Sequence, residues 1–209
     1  MQYRLITVEG NIGAGKTTLS TILAERLNAR LVLESFANNP FLPKFYKEPD
    51  RYGFQLELFF MAERFKQLQG LQNMELFQQV TVSDYIFVKS LLFAKVTLDE
   101  DEYRLYQRLF YTINQQLMQP DILIYLHAPI TRLQENIKKR NRSYEQSIPD
   151  EYLKNIEDTY LTYINQDNIK TLVVDASNAD FLNNENHVQT ILDALQKDYE
   201  PGRYFIELP

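Results

Sequence analysis

The chain has 209 residues, 44% of them hydrophobic and 24% charged, which is enough to bury one core and too short for two ordinary domains. A formal net charge of −6 disfavours a general binder of nucleic-acid polymers, which needs a basic face to displace counterions. The absence of cysteine excludes disulfides and thiolate metal sites; with no basic-apolar leader and no long apolar run, the expectation is a cytoplasmic protein with no membrane partner.

The first run, Leu5 to Glu9 (LITVE), is β-branched, nearly continuous and too short for a helix, and therefore reads as a buried strand. GNIGAGKTT follows directly. Three glycines in this stretch cost backbone entropy on folding and point to positive φ angles or to close approach of another group. Gly10, Gly15, Lys16 and Thr17 match G-x-x-x-x-G-K-[ST], between a strand and the helical stretch Thr17 to Asn28. In that geometry backbone N–H groups converge on a phosphate, the helix N-terminus adds partial positive charge, Lys16 reaches the β and γ phosphates, and the Thr17 hydroxyl can ligate Mg²⁺. Gly10, Asn11, Ile12, Gly13, Ala14, Gly15, Lys16, Thr17 and Thr18 are thus expected to hold ATP or GTP, against the plainer reading of a glycine-rich turn.

Ala29 to Glu34 reads as a second strand. Ligands of open α/β sheets collect at the carboxyl ends of strands, so Glu34 borders the same crevice and can take a proton from an attacking hydroxyl; the competing reading is a solvated loop acid. The next helix, Phe54 to Gln72, carries Glu57 and Arg64 seven residues apart, with Phe60 and Met61 between them. They either brace the helix as an ion pair or read a ligand in a pocket, and spacing alone favours the brace. Val80 to Ser83 is a third strand, followed by Asp84 and Tyr85.

A helix from Glu100 to Met118 follows, with Tyr103, Tyr106, Phe110 and Tyr111 in an amphipathic pattern that serves either the core or a partner helix. After the fourth strand, Asp121 to His127, the segment IKKRNRSYEQ crowds Lys138, Lys139, Arg140 and Arg142 together. Such a run is either a solvated face or a lid over about residues 138–148, whose arginines close on the transferring phosphates; beside a P-loop the lid is the better reading. The helix Pro149 to Gln166 and the fifth strand, Lys170 to Ala176, come next, then the Asn-rich SNADFLNNENH, read as a surface loop. The tail YEPGRYFIELP fits either an extra edge strand or an extension on a partner. The alternation of β and α predicts one domain of P-loop NTPase-type three-layer α/β fold, a five-stranded parallel sheet with helices on both faces.

Across nearly its whole length the chain resembles the deoxynucleoside kinases of the deoxyguanosine, deoxyadenosine and deoxycytidine kinase group. The matches, in order, are GNIGAGKTTLS, ESFANNPFLPKFY, FQLELFFMAERFKQ, DILIYLHAP, KKRNRSYEQSIPDEYL and VVDASNADF. The resemblance implies an ATP- and Mg²⁺-dependent phosphotransferase acting on the 5′-hydroxyl of a deoxynucleoside, commonly as a homodimer. It implies Glu34 as general base, Arg64 between base and 5′-oxygen, Phe93 stacked on the base, and Tyr46 and Glu145 on the 3′-hydroxyl. Arg140 and Arg142 would be lid arginines, and Asn178, Ala179, Asp180 and Phe181 would lie near the ATP adenine.

Two departures stand out. After the third strand the family carries an acidic residue, an arginine and a serine or threonine, whereas here Ser83, Asp84 and Tyr85 stand there; Asp84 supplies the acid for Mg²⁺ only if the register slips by one. Glu57 replaces a glutamine that reads the Watson–Crick edge. An ionised carboxylate only accepts hydrogen bonds, which matches the paired donors of guanine and predicts deoxyguanosine. A kinase-fold protein with little catalysis and a nucleoside monophosphate kinase are the competing functions.

Overall fold

A computed structural model describes residues 2–35, 39–72, 80–166 and 168–209; residues 36–38 of the ESFANNPFLPKFY match lie outside the described residues. The elements in order are β1 (Leu5–Gly10), α1 (Lys16–Arg26), β2 (Arg30–Val32), α2 (Leu42–Phe45), α3 (Pro49–Gln72), β3 (Thr81–Ser83) and α4 (Lys89–Thr97). They continue with α5 (Glu100–Asn114), β4 (Ile122–His127), α6 (Ile130–Arg140), α7 (Asp150–Ile164), β5 (Lys170–Asp175), α8 (Glu185–Ala194) and β6 (Gly202–Ile206).

The sheet order is β2-β3-β1-β4-β5-β6, and every pairing is parallel. The expected five strands become six, because the tail pairs with β5 from Lys170↔Gly202 to Val174↔Ile206. Its residues alternate: Tyr204 and Ile206 pack toward the core while Phe205 is exposed, the period-2 pattern of an edge strand with one covered face. The Asn-rich segment is a loop only as far as Asn184, whose side chain accepts from the Asn186 N–H and opens α8. Helix α3 begins at Pro49, five residues earlier than its apolar spacing indicated, since proline suits a first helical position.

Alternating strand residues divide two cores. Ile122, Ile124 and Leu126 face a cluster that includes Leu19 of α1, Leu133 of α6 and Ile191 of α8. Leu123, Tyr125 and Val173 meet Leu92 of α4 with Ile156 and Tyr160 of α7. A third cluster joins Met61 of α3 to Tyr106 and Phe110 of α5, so two of the four α5 aromatics are core; Phe87 stacks on Phe110 at 5.1 Å. Among the described residues, no helix is long and apolar enough to cross a membrane.

The end of β1 is fixed by a buried acid. Glu9 is fully buried; its Oε1 accepts from the Ile86 N–H (3.0 Å), and its Oε2 from the Tyr160 hydroxyl (2.8 Å) and the Gly10 N–H (3.1 Å). One carboxylate thus ties α7 and the segment after β3 to the strand that launches the P-loop. Tyr160→Phe removes a donor from this buried carboxylate and is expected to cost about 2 kcal/mol, lowering the melting temperature by roughly 4–8 °C. Thermal melts followed by circular dichroism measure it; an unchanged midpoint would remove Glu9 from this bracing role.

Candidate active site

The glycines of the first loop are required by the space around them. At Gly10, with φ +151°, a Cβ would lie 2.6 Å from the Leu126 carbonyl oxygen; at Gly13, with φ +85°, one would lie 2.7 Å from that of Leu133. Helix α1 has Gly15 at its N-cap with no side-chain cap, leaving its first N–H groups available to an anion. The Lys16 ammonium donates to the carbonyls of Gly10 and Asn11, both at 2.8 Å. Burial, and then repulsion from Lys89, lower its pKa to about 8. Asn11 lies beneath the loop, its side-chain amide donating to Leu153 O at 2.7 Å.

Asp84 stands at the carboxyl end of β3, beside the start of α1. Its Oδ2 accepts from the Thr17 hydroxyl (2.7 Å) and its Oδ1 from the Glu34 backbone N–H (2.7 Å). Two hard oxygen ligands therefore sit together, the donor set that suits Mg²⁺ completed by phosphates and water. Ser83 is instead absorbed by structure, bonded to Thr7 (2.9 Å) and the Tyr85 carbonyl (2.9 Å).

Glu34 lies on the floor of the same crevice. Arg64 donates to its Oε1 through Nε (2.8 Å) and a terminal nitrogen (2.6 Å), and Lys89 to its Oε2 (2.7 Å). Burial raises the Glu34 carboxyl, but Lys89 and Arg64 more than reverse this and hold it well below the usual carboxylate range. The Glu57–Arg64 brace favoured by spacing does not form: Arg64 turns to Glu34 and to Ser90 Oγ (2.8 Å). Geometry decides this: Glu34 meets the guanidinium with two hydrogen bonds, and Ser90 takes a third nitrogen.

These groups open into one cavity of about 820 Å³. The P-loop from Ile12 to Thr18, Glu34, Asp84, Tyr46, Glu57, Arg64, Phe93, Arg140, Arg142, Glu145, Ala179, Asp180 and Phe181 line it; Asn178 is exposed and lies outside the lining. Glu145 is buried and pairs with both Arg140 and Arg142, the latter at 3.1 Å. Tyr46 stacks on Tyr144 at 6.0 Å between ring centroids.

The family model for deoxynucleoside kinases matches residues 6–199. The chain belongs to that family. It is similar to the deoxyguanosine kinase of Bacillus subtilis (strain 168), 33% identical with 89% of this chain and 93% of that protein covered. It is also similar to the deoxyadenosine kinase of Dictyostelium discoideum, 31% identical over 97% of this chain and 82% of that protein. Among solved structures, the M. mycoides deoxyadenosine kinase with dCMP and dCDP bound superposes with a TM-score of 0.81 at 27% identity, covering 92% of this chain and 98% of that one. The chain is a deoxynucleoside kinase, then, whose site departs from the familiar pattern at named positions.

Three polar residues of this kinase's cavity escape a reading by motif: Lys89, Arg132 and Asn136. Arg132 and Asn136 join Lys139 and Arg140 of the basic run at i, i+4, i+7 and i+8 of α6, a spacing that puts them on one stripe facing the cavity. Asn136 donates to Gly13 O at 2.8 Å and Arg132 to Ala179 O at 3.2 Å, so α6 links the P-loop to the loop before α8. That helical spacing was the available signal for α6; Lys89 had none, being one lysine in an apolar run.

Glu57 is 1% exposed in the cavity wall; Oε1 accepts a long bond from Thr97 (3.3 Å), and Oε2 has no protein partner. Burial, opposed by Arg64 and Thr97, raises its pKa to about 7, so the expected ionised carboxylate is the majority form only above that pH. A folded-state pKa above the unfolded value means that the native protein binds the extra proton. Its stabilising share is present below about pH 4.5 and lost as pH rises through about 7. Relative to wild type, Glu57→Gln should therefore gain stability on going from pH 5 to pH 8, by up to about 3 kcal/mol. Denaturant titrations at the two pH values test this; a pH-independent difference would mean that Glu57 carries no such shift.

Proposed function

We propose that this deoxynucleoside kinase transfers the γ-phosphoryl group of ATP to the 5′-hydroxyl of a purine deoxynucleoside, deoxyguanosine being preferred. The observation that carries the reading is the convergence of Lys16, Asp84–Thr17 and Glu34 on one crevice floor, donor groups and a proton acceptor in one cavity. The M. mycoides enzyme solved with dATP and dCTP supports a nucleotide in such a cavity.

In this reading the P-loop N–H groups and Lys16 hold the ATP phosphates, and Thr17 and Asp84 hold Mg²⁺, which supplies positive charge beside them. Glu34 takes the 5′-hydroxyl proton; Tyr46 and Glu145 bind the 3′-hydroxyl, and Phe93 and Glu57 meet the base. Residues from about 138 to 148 act as the lid of a single cytoplasmic domain, Arg140 and Arg142 exchanging Glu145 for the phosphates as charge spreads over the transferring oxygens. The acceptor half of the cavity is walled by Phe60, Phe93, Tyr152 and Glu57, and its Arg64 is committed to Glu34, which disfavours an acceptor that already carries phosphate.

Guanine offers two adjacent donors, N1–H and the exocyclic amine, to an ionised Glu57; a protonated Glu57 offers donor and acceptor together, as adenine and cytosine require. In a radiolabel assay with ATP and the four deoxynucleosides, deoxyguanosine should give the highest kcat/KM at pH 8, and Glu57→Gln should shift preference toward deoxyadenosine or deoxycytidine by roughly 10- to 100-fold. An unchanged ranking would put base reading elsewhere.

We also propose a homodimer. Leu105 and Leu109 are exposed one turn apart on α5, with Leu58 of α3 also exposed, an apolar surface suited to helix packing about a two-fold axis. Light scattering at micromolar concentration should give twice the 24.8 kDa chain mass, and a monomer mass would exclude the dimer.

A further inference from the structure

The crevice floor holds more positive charge than its own carboxylate needs. Arg64 already meets Glu34 with two donors, and the guanidinium is buried. The side chain of Lys89, 5% exposed, adds a second cation to the same carboxylate through Oε2. Asp84, the other carboxylate on the floor, keeps its charge but turns its oxygens to Thr17 and the Glu34 N–H. Across the crevice stands Lys16, close enough that Lys89 lowers its proton affinity. The buried Lys89 and the half-buried Lys16 both line the cavity, where an anion entering between them would meet both ammonium groups.

The clamp also bears on Glu34. A carboxylate that accepts from three N–H groups of two cations has little basicity left for a hydroxyl proton. Something must withdraw before it acts. Arg64 is fixed by Ser90 as well as by Glu34 and lies against the Phe60 ring at 5.0 Å. Lys89 stands at the first turn of α4 on a four-carbon stem, with Phe93 5.5 Å from its ammonium as its other close neighbour.

Resting on the phosphoryl-transfer reading above, we propose that Lys89 is a catalytic cation: in the structure it covers Glu34 Oε2, and with ATP and deoxynucleoside bound it turns to the transferring phosphoryl group and releases Oε2. The 5′-hydroxyl proton then passes to Glu34 and the bond from the 5′-oxygen to the γ-phosphorus forms. The bond from that phosphorus to the β–γ bridging oxygen breaks, its electron pair remaining on ADP. Lys89 thereby brings positive charge to the acceptor side from the first residue of the helix that follows β3.

The test uses Lys89→Met and Lys89→Arg in the full-length enzyme. Lys89→Met should lower kcat at least 100-fold while the deoxynucleoside KM stays within threefold, because the contact is made mainly in the transition state. Arg64 still neutralises Glu34, so the variant should fold; Lys89→Arg should recover at least a tenth of wild-type turnover. Independently of turnover, aluminium fluoride should tighten binding of ADP plus deoxynucleoside to wild type at least tenfold and leave Lys89→Met unchanged. A Lys89→Met kcat within threefold of wild type, or equal tightening by aluminium fluoride in both proteins, overturns the proposal. So does a loss of melting temperature in step with activity that arginine does not rescue, the mark of a merely structural lysine. If wild type itself transfers phosphate to none of the four deoxynucleosides, the kinase reading fails first and Lys89 with it.

Discussion

Glu34 is a carboxylate taken largely out of water and held between two cations, and most of the site is arranged around it. Its side chain draws Arg64 from α3 and Lys89 from α4, while its backbone N–H draws Asp84 from the end of β3. Asp84 in turn holds Thr17 at the start of α1. Four elements are therefore positioned by a short chain of charge-assisted hydrogen bonds, in which losing Arg64, the guanidinium that donates twice, would cost about 3–5 kcal/mol. The same chain connects the donor half of the cavity to the acceptor half.

Beneath it, packing and backbone geometry set the positions that those bonds refine. β1 is buried along its whole length, Glu9 pins its end to α7, and Gly10 passes so close to Leu126 O that a side chain is excluded. The P-loop is thus a ledge built from strand contacts, whereas the groups proposed above to change partner, Lys89 and the two arginines on Glu145, sit on long side chains. Catalysis by phosphoryl transfer depends chiefly on placing charge, and this division gives a fixed cradle with movable cations.

What could be read from the chain follows the range of the forces involved. The P-loop was legible because its glycines, lysine and threonine act through local backbone geometry, and the first five strands because strands buried in a sheet are short, β-branched apolar runs. β6 was not decided, since only its pairing with β5 makes a half-exposed GRYFI an edge strand. Spacing along α3 suggested a Glu57–Arg64 pair because local proximity is all that spacing sees; Glu34, thirty residues away in sequence, wins the guanidinium. The pairing of Lys89 with Glu34 was hidden for the same reason. Its meaning lies in a contact across 55 positions, and nothing in VKSLLF announces it. The stripe on α6 lies between these cases, periodic enough to be found once α6 is placed beside the P-loop.

Three polar groups of the cavity lining are incomplete or share a partner. Glu57 Oε2 has no protein partner in a buried wall, Lys16 is satisfied only by carbonyls, and Lys89 shares a carboxylate that Arg64 already neutralises. Buried polar atoms are ordinarily paired, and each exception costs stability unless something completes it. Asn39 Nδ2 is an exception outside the cavity lining; Lys16, Lys89 and Glu57 face the cavity and differ in chemistry along it: cations toward the P-loop, an acceptor-poor apolar stretch at Phe60 and Phe93, then the carboxyl of Glu57. That order is the complement of a molecule with phosphates at one end, an uncharged ring system in the middle and hydrogen-bond donors at its far edge. In the proposed reading, the nucleotide and the deoxynucleoside complete these groups.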